Sequence, residues 1–304
     1  MKTALPWPFE TATPAGAGQL RWSHRGSNIC LDFHGDPVSA RLVVFSDGNH
    51  HMALEAALQA FRRSHPEVSD IFYATTPPGV LVNYLEAGQL TLGNLSLTRQ
   101  PHIFISPPDI LQGLQQTGFV DSHQPFMRSR GNVLLIRKGN PKHITGIADL
   151  LRDDVRLFIS NPETEKTSYE VYAQTLHNLA AEANLDVTAL TARLSDPTHT
   201  CISEVIHHRE APQCLADGNA DVALIYYHLA LRYTRIFGDV FDFIPLGGDK
   251  ENPQPSRTNI TTTYHIGAIG DGGEFGEALL SFLFDDRVTQ IYAEHGLMRA
   301  ESSN

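Results

Sequence analysis

The sequence of 304 residues holds only three cysteines, Cys30, Cys201 and Cys214. An odd number with no C-x-x-C spacing supplies neither a disulfide framework nor a thiolate zinc site. Cys214, within a helical stretch, reads as a small buried apolar residue, and the redox compartment stays open. No apolar run approaches the roughly 18 residues of a membrane span. Cations are in deficit: 23 Lys and Arg stand against 34 Asp and Glu, for a formal net charge of −11. Nucleic acid and anionic membrane surfaces both require clustered Lys and Arg, so neither is an expected partner. A small anion is still compatible, because backbone N–H groups at helix starts hold one without a basic side chain. The opening MKTALPWPFETATPAGAG has one lysine and no apolar core of leader length. The expected location is cytoplasmic as the chain stands, and periplasmic if a leader was removed. Repeats and low-complexity tracts are missing too. So are a G-x-S-x-G elbow, an H-E-x-x-H helix and a phosphate-binding glycine loop.

What is present is an ordinary globular composition, 41% hydrophobic and 19% charged, long enough for two domains. The stretch His207–Ala230 organises it. Its first half is polar and helical, Gly218 is placed to stop the helix, and Val222-Ala223-Leu224-Ile225 reads as a short buried strand. The strand ends in Tyr226, Tyr227 and His228. In open α/β sheets ligands sit beyond the carboxyl ends of strands, so these side chains lie where binding is expected.

Upstream, Leu42–Phe45 reads as a buried strand and Ser46-Asp47-Gly48-Asn49 as a turn. The helix after it carries Leu54, Leu58 and Phe61 on one face. Strand, turn and helix recur over 70–88 and again over 103–116, the signature of a βαβ lobe. The chain changes direction around 126–131. Strands over 132–137 and 155–160 follow, with helices over 147–151, 167–181 and part of 185–200. Later strands are expected at 240–244 and 264–269, and two helices at 277–284 and 287–295. Residues 1–40, with one strand at 29–33, read as an N-terminal arm.

Taken together, LVVFSDGN before a helix, RGNVLLIRKGNPKHITGIADLLRDDVRLFISNPE, ADVALIYY and FLFDDRVTQIYAEHGL resemble the type II periplasmic binding proteins. Among these the sequence is most similar to the molybdate/tungstate-binding proteins of ABC transporters, over about residues 41–300. The resemblance implies an α/β fold of two lobes, each a mostly parallel sheet flanked by helices, with the ligand cleft between the lobes and hinge closure around it. It places lobe 1 at 41–125 plus 236–304 and lobe 2 at 126–235. It also implies a small oxyanion held by neutral donors at Ser46, Asn49, Thr75, Thr76, Asn161, the backbone at His208, and Tyr226. The expected partners are that small inorganic ligand and an ABC transporter permease, with the chain a monomer. No cofactor is expected beyond the bound ligand.

Two features depart from that pattern. Asp47 in the first turn would repel a dianion, and the histidines at 50, 51 and 208 are not required by an oxyanion. Both suit a cation. The iron-binding members of the same superfamily use a histidine after the first strand and a tyrosine pair after a late one. The alternative is therefore a transition-metal site of the Fe(III) type, drawing on His50, His51, His208, Tyr226 and Tyr227. An enzyme is the third class: Ser203-Glu204 with His207-His208 could do acid–base work. Asp153-Asp154 and Asp285-Asp286, however, read as solvated caps. The chain is expected not to be an enzyme.

Overall fold

The computed structural model describes residues 32–92, 95–204 and 206–301. Most of the expected N-terminal arm and the first part of its strand at 29–33 lie outside these residues, as does Cys30. In chain order the strands and helices are β1 (Phe33–His34), β2 (Leu42–Ser46), α1 (His51–Ser64), β3 (Ile71–Thr75), α2 (Pro78–Ala87), β4 (Leu90–Leu92), β5 (Leu95–Leu97), β6 (Ile103–Ser106), α3 (Pro108–Gln116), β7 (Val120–Ser129), β8 (Asn132–Arg137), β9 (Leu157–Ile159), α4 (Lys166–Glu182), α5 (Val187–Leu194), β10 (Thr200–Ile202), α6 (His207–Ala216), β11 (Val222–Tyr226), α7 (Tyr227–Ile236), β12 (Phe241–Pro245), β13 (Thr263–Ile269), α8 (Gly273–Leu283), α9 (Asp286–Glu294) and β14 (Leu297–Arg299). Among the described residues no helix is long and apolar enough to cross a membrane.

The chain divides into two compact units. The first takes the described residues up to 128 and those from 262 onward. Its sheet has the order β1-β3-β2-β6-β13-β7-β14. β3, β2 and β6 are mutually parallel, while β1 runs antiparallel to β3 and β13 antiparallel to both β6 and β7. β2 reads LVVFS and is buried at every position, as a strand covered on both faces must be. One face carries Leu42, Val44, Ile103 and Ile105 against Leu54, Leu58 and Phe61 of α1 and Leu279 of α8. The other carries Val43, Phe45 and Phe104 against Leu81 and Leu85 of α2 and Leu111 of α3. The face predicted for α1 is therefore the buried one.

The second unit takes residues 129–261, and its sheet has the order β10-β9-β11-β8-β12. Here β10, β9 and β11 are parallel, and β8 and β12 antiparallel. α4, α5, α6 and α7 supply Leu176, Leu190, Leu215 and Tyr233 to its core.

The return to the first unit falls between Thr261 and Thr262, later than the expected 236. The cause is β12, which pairs with β8 from Phe241↔Arg137 to Pro245↔Val133 and so stays in the second sheet. The expected change of direction near 126 is likewise displaced, because β7 runs unbroken from Val120 to Ser129. The predicted short helix over 147–151 is a 3-10 helix, and β14 and the β4–β5 pair were not anticipated.

Candidate functional site

In the first unit the three parallel strands end on hydroxyl residues: Ser46 on β2, Thr75 on β3 and Ser106 on β6. Register sets Ser46 opposite Thr75 on one side and Ile105 on the other, so the three ends lie side by side. Each strand is followed at once by a helix start, where backbone N–H groups have no intrahelical acceptor. Pro77 and Pro78 fix the entry to α2, and Pro107 and Pro108 the entry to α3, since proline suits the first helical position. Ser46, Thr75 and Ser106 are no more than 2% exposed. The hydroxyls of Thr75 and Ser106 have no hydrogen-bond partner among the described residues.

The other nominated residues of this unit are engaged differently. Thr76 is fully buried, and its hydroxyl accepts from the Asp32 N–H at 3.3 Å. Asn49 is half-buried, with its backbone N–H donating to Asp47 Oδ1 at 2.7 Å. Asp47 thereby caps the turn, but it is only 5% exposed and burial pushes its carboxyl up to about 6. His50 is a core residue. Its Nε2 lies 3.1 Å from Ser46 Oγ and its Nδ1 3.1 Å from the Tyr292 hydroxyl, and its ring packs on Tyr264. Because Ser46 Oγ donates to the Asp47 carbonyl, the network assigns the proton to Nε2 and makes Nδ1 the acceptor. His51 Nδ1 is 2.8 Å from the Gly48 carbonyl.

In the second unit β9 and β11 are neighbours. β9 runs into Ser160, which is fully buried, its hydroxyl without a hydrogen-bond partner among the described residues. Asn161, the residue nominated there, has its amide occupied by the fold. Its Oδ1 accepts from the Glu163 and Thr164 N–H groups at 2.8 and 3.3 Å, and its Nδ2 donates to the Ser203 carbonyl at 3.2 Å. Glu165 accepts from the Ser203 hydroxyl and from the His207 N–H at 3.0 and 3.1 Å, so it seats a carboxylate at the start of α6. Burial raises its pKa against the effect of those donors. Glu210 takes the N–H groups of Glu204 and Ile206 at 2.8 and 2.7 Å. The helix start that the resemblance assigns to an oxyanion near His208 is thus capped in part by the protein's own acids. His208 itself is half-buried, and its carbonyl accepts from the Tyr233 hydroxyl.

Tyr226 ends β11, is 4% exposed, and packs on Tyr172 and His228. Tyr227 opens α7, with Arg130 over its ring, and burial raises its hydroxyl pKa, which disfavours a phenolate. Neighbouring His207 is buried against Phe158 and Tyr172, and burial pushes its imidazole down to about 3, holding it neutral. Among the described residues no three His, Cys, Asp or Glu side chains gather as a metal-binding group.

The carboxyl ends of the strands therefore bring Ser46, Asn49, Thr75 and Thr76 together in one unit, and Asn161, the start of α6 and Tyr226 near adjoining strand ends in the other. Sequence reasoning missed Ser106. The signal was available, since it ends an apolar strand before Pro-Pro just as Thr75-Thr76 does. In the second unit the unpartnered group is Ser160, one residue before the asparagine chosen.

Two mixed sheets flanked by helices, each with buried polar residues at the carboxyl ends of its parallel strands, are the α/β architecture expected of a type II periplasmic binding protein. Residues 42–298 match the bacterial extracellular solute-binding protein family, and the chain belongs to that family. Solved structures with the same fold include the substrate-binding domain of a molybdenum ABC transporter from Clostridium difficile, at TM-score 0.60 and 17% identity, covering 86% of this chain and 99% of that one. The sulfate-binding protein of Mycobacterium tuberculosis matches at TM-score 0.61 and 16% identity, covering 86% and 87%. The periplasmic molybdate-binding protein of Azotobacter vinelandii matches at 0.56 and 13%, covering 86% and 100%. No curated protein matches the sequence.

Proposed function

We propose that this solute-binding protein captures a small tetrahedral oxyanion of the molybdate, tungstate or sulfate class, without catalysis, as a monomer that hands it to an ABC transporter permease on the extracytoplasmic side. One observation carries the reading: Thr75, Ser106 and Ser160 are buried at strand ends with hydroxyls that have no hydrogen-bond partner among the described residues. A buried unpaired polar group costs about 1–3 kcal/mol, so such groups persist where something else uses them. Neutral hydroxyls and helix-start N–H groups are donors suited to an oxyanion in an acidic protein, because they need no cation. The names of the molybdate- and sulfate-binding structures that share the fold point the same way.

Titration calorimetry with molybdate on the intact protein and on Thr75→Val, Ser106→Ala and Ser160→Ala tests the proposal. Each lost charge-assisted hydrogen bond should weaken binding by about ten- to a hundredfold, from roughly 1.5–3 kcal/mol. Thr75→Val should at the same time stabilise the ligand-free protein by about 1 kcal/mol, since a methyl replaces an unpaired buried hydroxyl. Opposite signs on stability and affinity are what a purely structural hydroxyl would not give. Three variants that bind molybdate as tightly as the parent would overturn the assignment.

A further inference from the structure

His123 on β7 and His265 on β13 stand outside the donor set described above, yet the first unit holds them in direct contact. Their Nδ1 atoms are 2.7 Å apart, and their ring centroids 4.9 Å apart at 53°. Gly267 makes the approach possible. It sits opposite His123 in register, and a Cβ there would lie 2.8 Å from Val120 Cγ1 and 3.4 Å from His123 Cβ. The bare backbone leaves the His123 ring room to lean across to His265, two residues from Gly267 on the same face. On its other side His265 is the register partner of Ser106, the buried hydroxyl that ends β6. Residues paired in this way project from one face with Cβ atoms about 5 Å apart, so the imidazole pair adjoins the candidate half-site.

We propose that His123 and His265 form a proton-sharing dyad that serves the first half-site as a switchable cation: one proton taken up by the pair places a positive charge beside Ser106 and tightens oxyanion binding as pH falls. The inference rests on the oxyanion reading and adds its regulation. No other positive charge is needed, and the chain stays an anion binder of neutral donors at higher pH.

The contact dictates how many protons the pair holds. An Nδ1–Nδ1 hydrogen bond needs one nitrogen to donate and the other to accept, and an imidazolium has no acceptor. While the bond stands, only one ring can be charged. Burial and the charge of His123 hold His265 below the ordinary histidine value, so the second proton is refused until the pH is lower still. Both rings are half-buried, which leaves them open to protons from solvent. The surrounding charges are few. β6 and β13 carry no Asp, Glu, Lys or Arg, and Tyr264 packs on the opposite face. β7 adds Asp121 and Arg128, the latter 4.0 Å from Glu301, and α3, packed on β13, adds the exposed Asp109 in its first turn. Asp47 follows β2 on the far side of β6.

Titration calorimetry at pH 8 and pH 5.5 tests this on the intact chain, His123→Gln and His265→Gln. Sulfate is the probe, because it stays a dianion over the range. Between the two pH values the parent should gain about tenfold more affinity than either variant, as a unit charge near a dianion implies. Asp47 titrates in all three proteins, so its share cancels. The two ring signals of the parent, followed by proton NMR, give a readout that needs no variant. They should move together in a first step, with a second step only at lower pH. A parent affinity that follows the same pH course as both variants, or two rings that titrate independently, would overturn the dyad and leave the oxyanion reading standing. A parent that binds neither sulfate nor molybdate at either pH would overturn both.

Discussion

Replacing Asn259 with alanine is expected to cost the second unit about 4 kcal/mol, a large share of the stability of a typical domain. Asn259 is 3% exposed and Asn132, at the head of β8, is 1% exposed. Asn259 Oδ1 accepts from the backbone and side-chain N–H groups of Asn132 at 2.8 and 3.2 Å, and its Nδ2 donates to the Asn132 and Leu246 carbonyls at 2.9 and 3.0 Å. Truncation removes all four bonds. The Asn132 amide nitrogen keeps Thr175 Oγ1 and the Ile260 carbonyl, so the cost falls on the Asn132 backbone and on Leu246. Asn259→Asp, which sets a buried carboxylate against the Asn132 and Leu246 carbonyls, should cost at least as much near neutral pH. Urea unfolding followed on the second unit reads the loss directly, and an unchanged midpoint for Asn259→Ala would contradict this reading of the pair.

The next largest effect is a dependence of stability on pH, set by Asp47. Its carboxyl, ordinarily at 3.8, is raised to about 6 in the folded chain by burial. The folded state therefore binds the proton more tightly than the unfolded state. The contribution of Asp47 to stability is highest below about 4, falls as pH rises through 4 to 6, and is flat above, where both states are ionised. The raised value corresponds to about 3 kcal/mol. Asp47→Asn keeps an acceptor for the Asn49 N–H, and asparagine caps as well as aspartate. The variant should gain up to about 3 kcal/mol above pH 6 and nothing below pH 4. The same substitution should flatten the pH dependence of oxyanion binding, since an ionised Asp47 repels the ligand. Denaturation midpoints measured from pH 4 to 8 decide the matter: parallel curves for the two proteins would show that Asp47 is not the group that titrates.

The elements that local chemistry dictates were legible in the sequence. β8 spans the predicted 132–137, α1 buries the predicted face, and Gly88 and Gly218 adopt left-handed φ values of 69° and 74° at helix ends. What depended on distant partners was not. FDFIP reads as a strand wherever it lies, and only its pairing with β8 assigns it to the second unit. The site shows the same division. Ser46 and Thr75 were visible as polar residues closing apolar strands. The Asn161 Oδ1 is held by its own turn, but its Nδ2 is taken by the Ser203 carbonyl, 42 residues away. His50 invited a metal-ligand reading because its partner Tyr292 lies 242 residues away in the chain.

The central claim is that neutral donors select a small oxyanion. Thermal unfolding with molybdate, tungstate, sulfate and phosphate, set beside Fe(III), Zn(II) and Ni(II), tests it most directly. An oxyanion present at a hundredfold over its dissociation constant should add about 2.7 kcal/mol to the folded state, with the metals adding none. Stabilisation by metals alone, or by no ligand in either group, would contradict it.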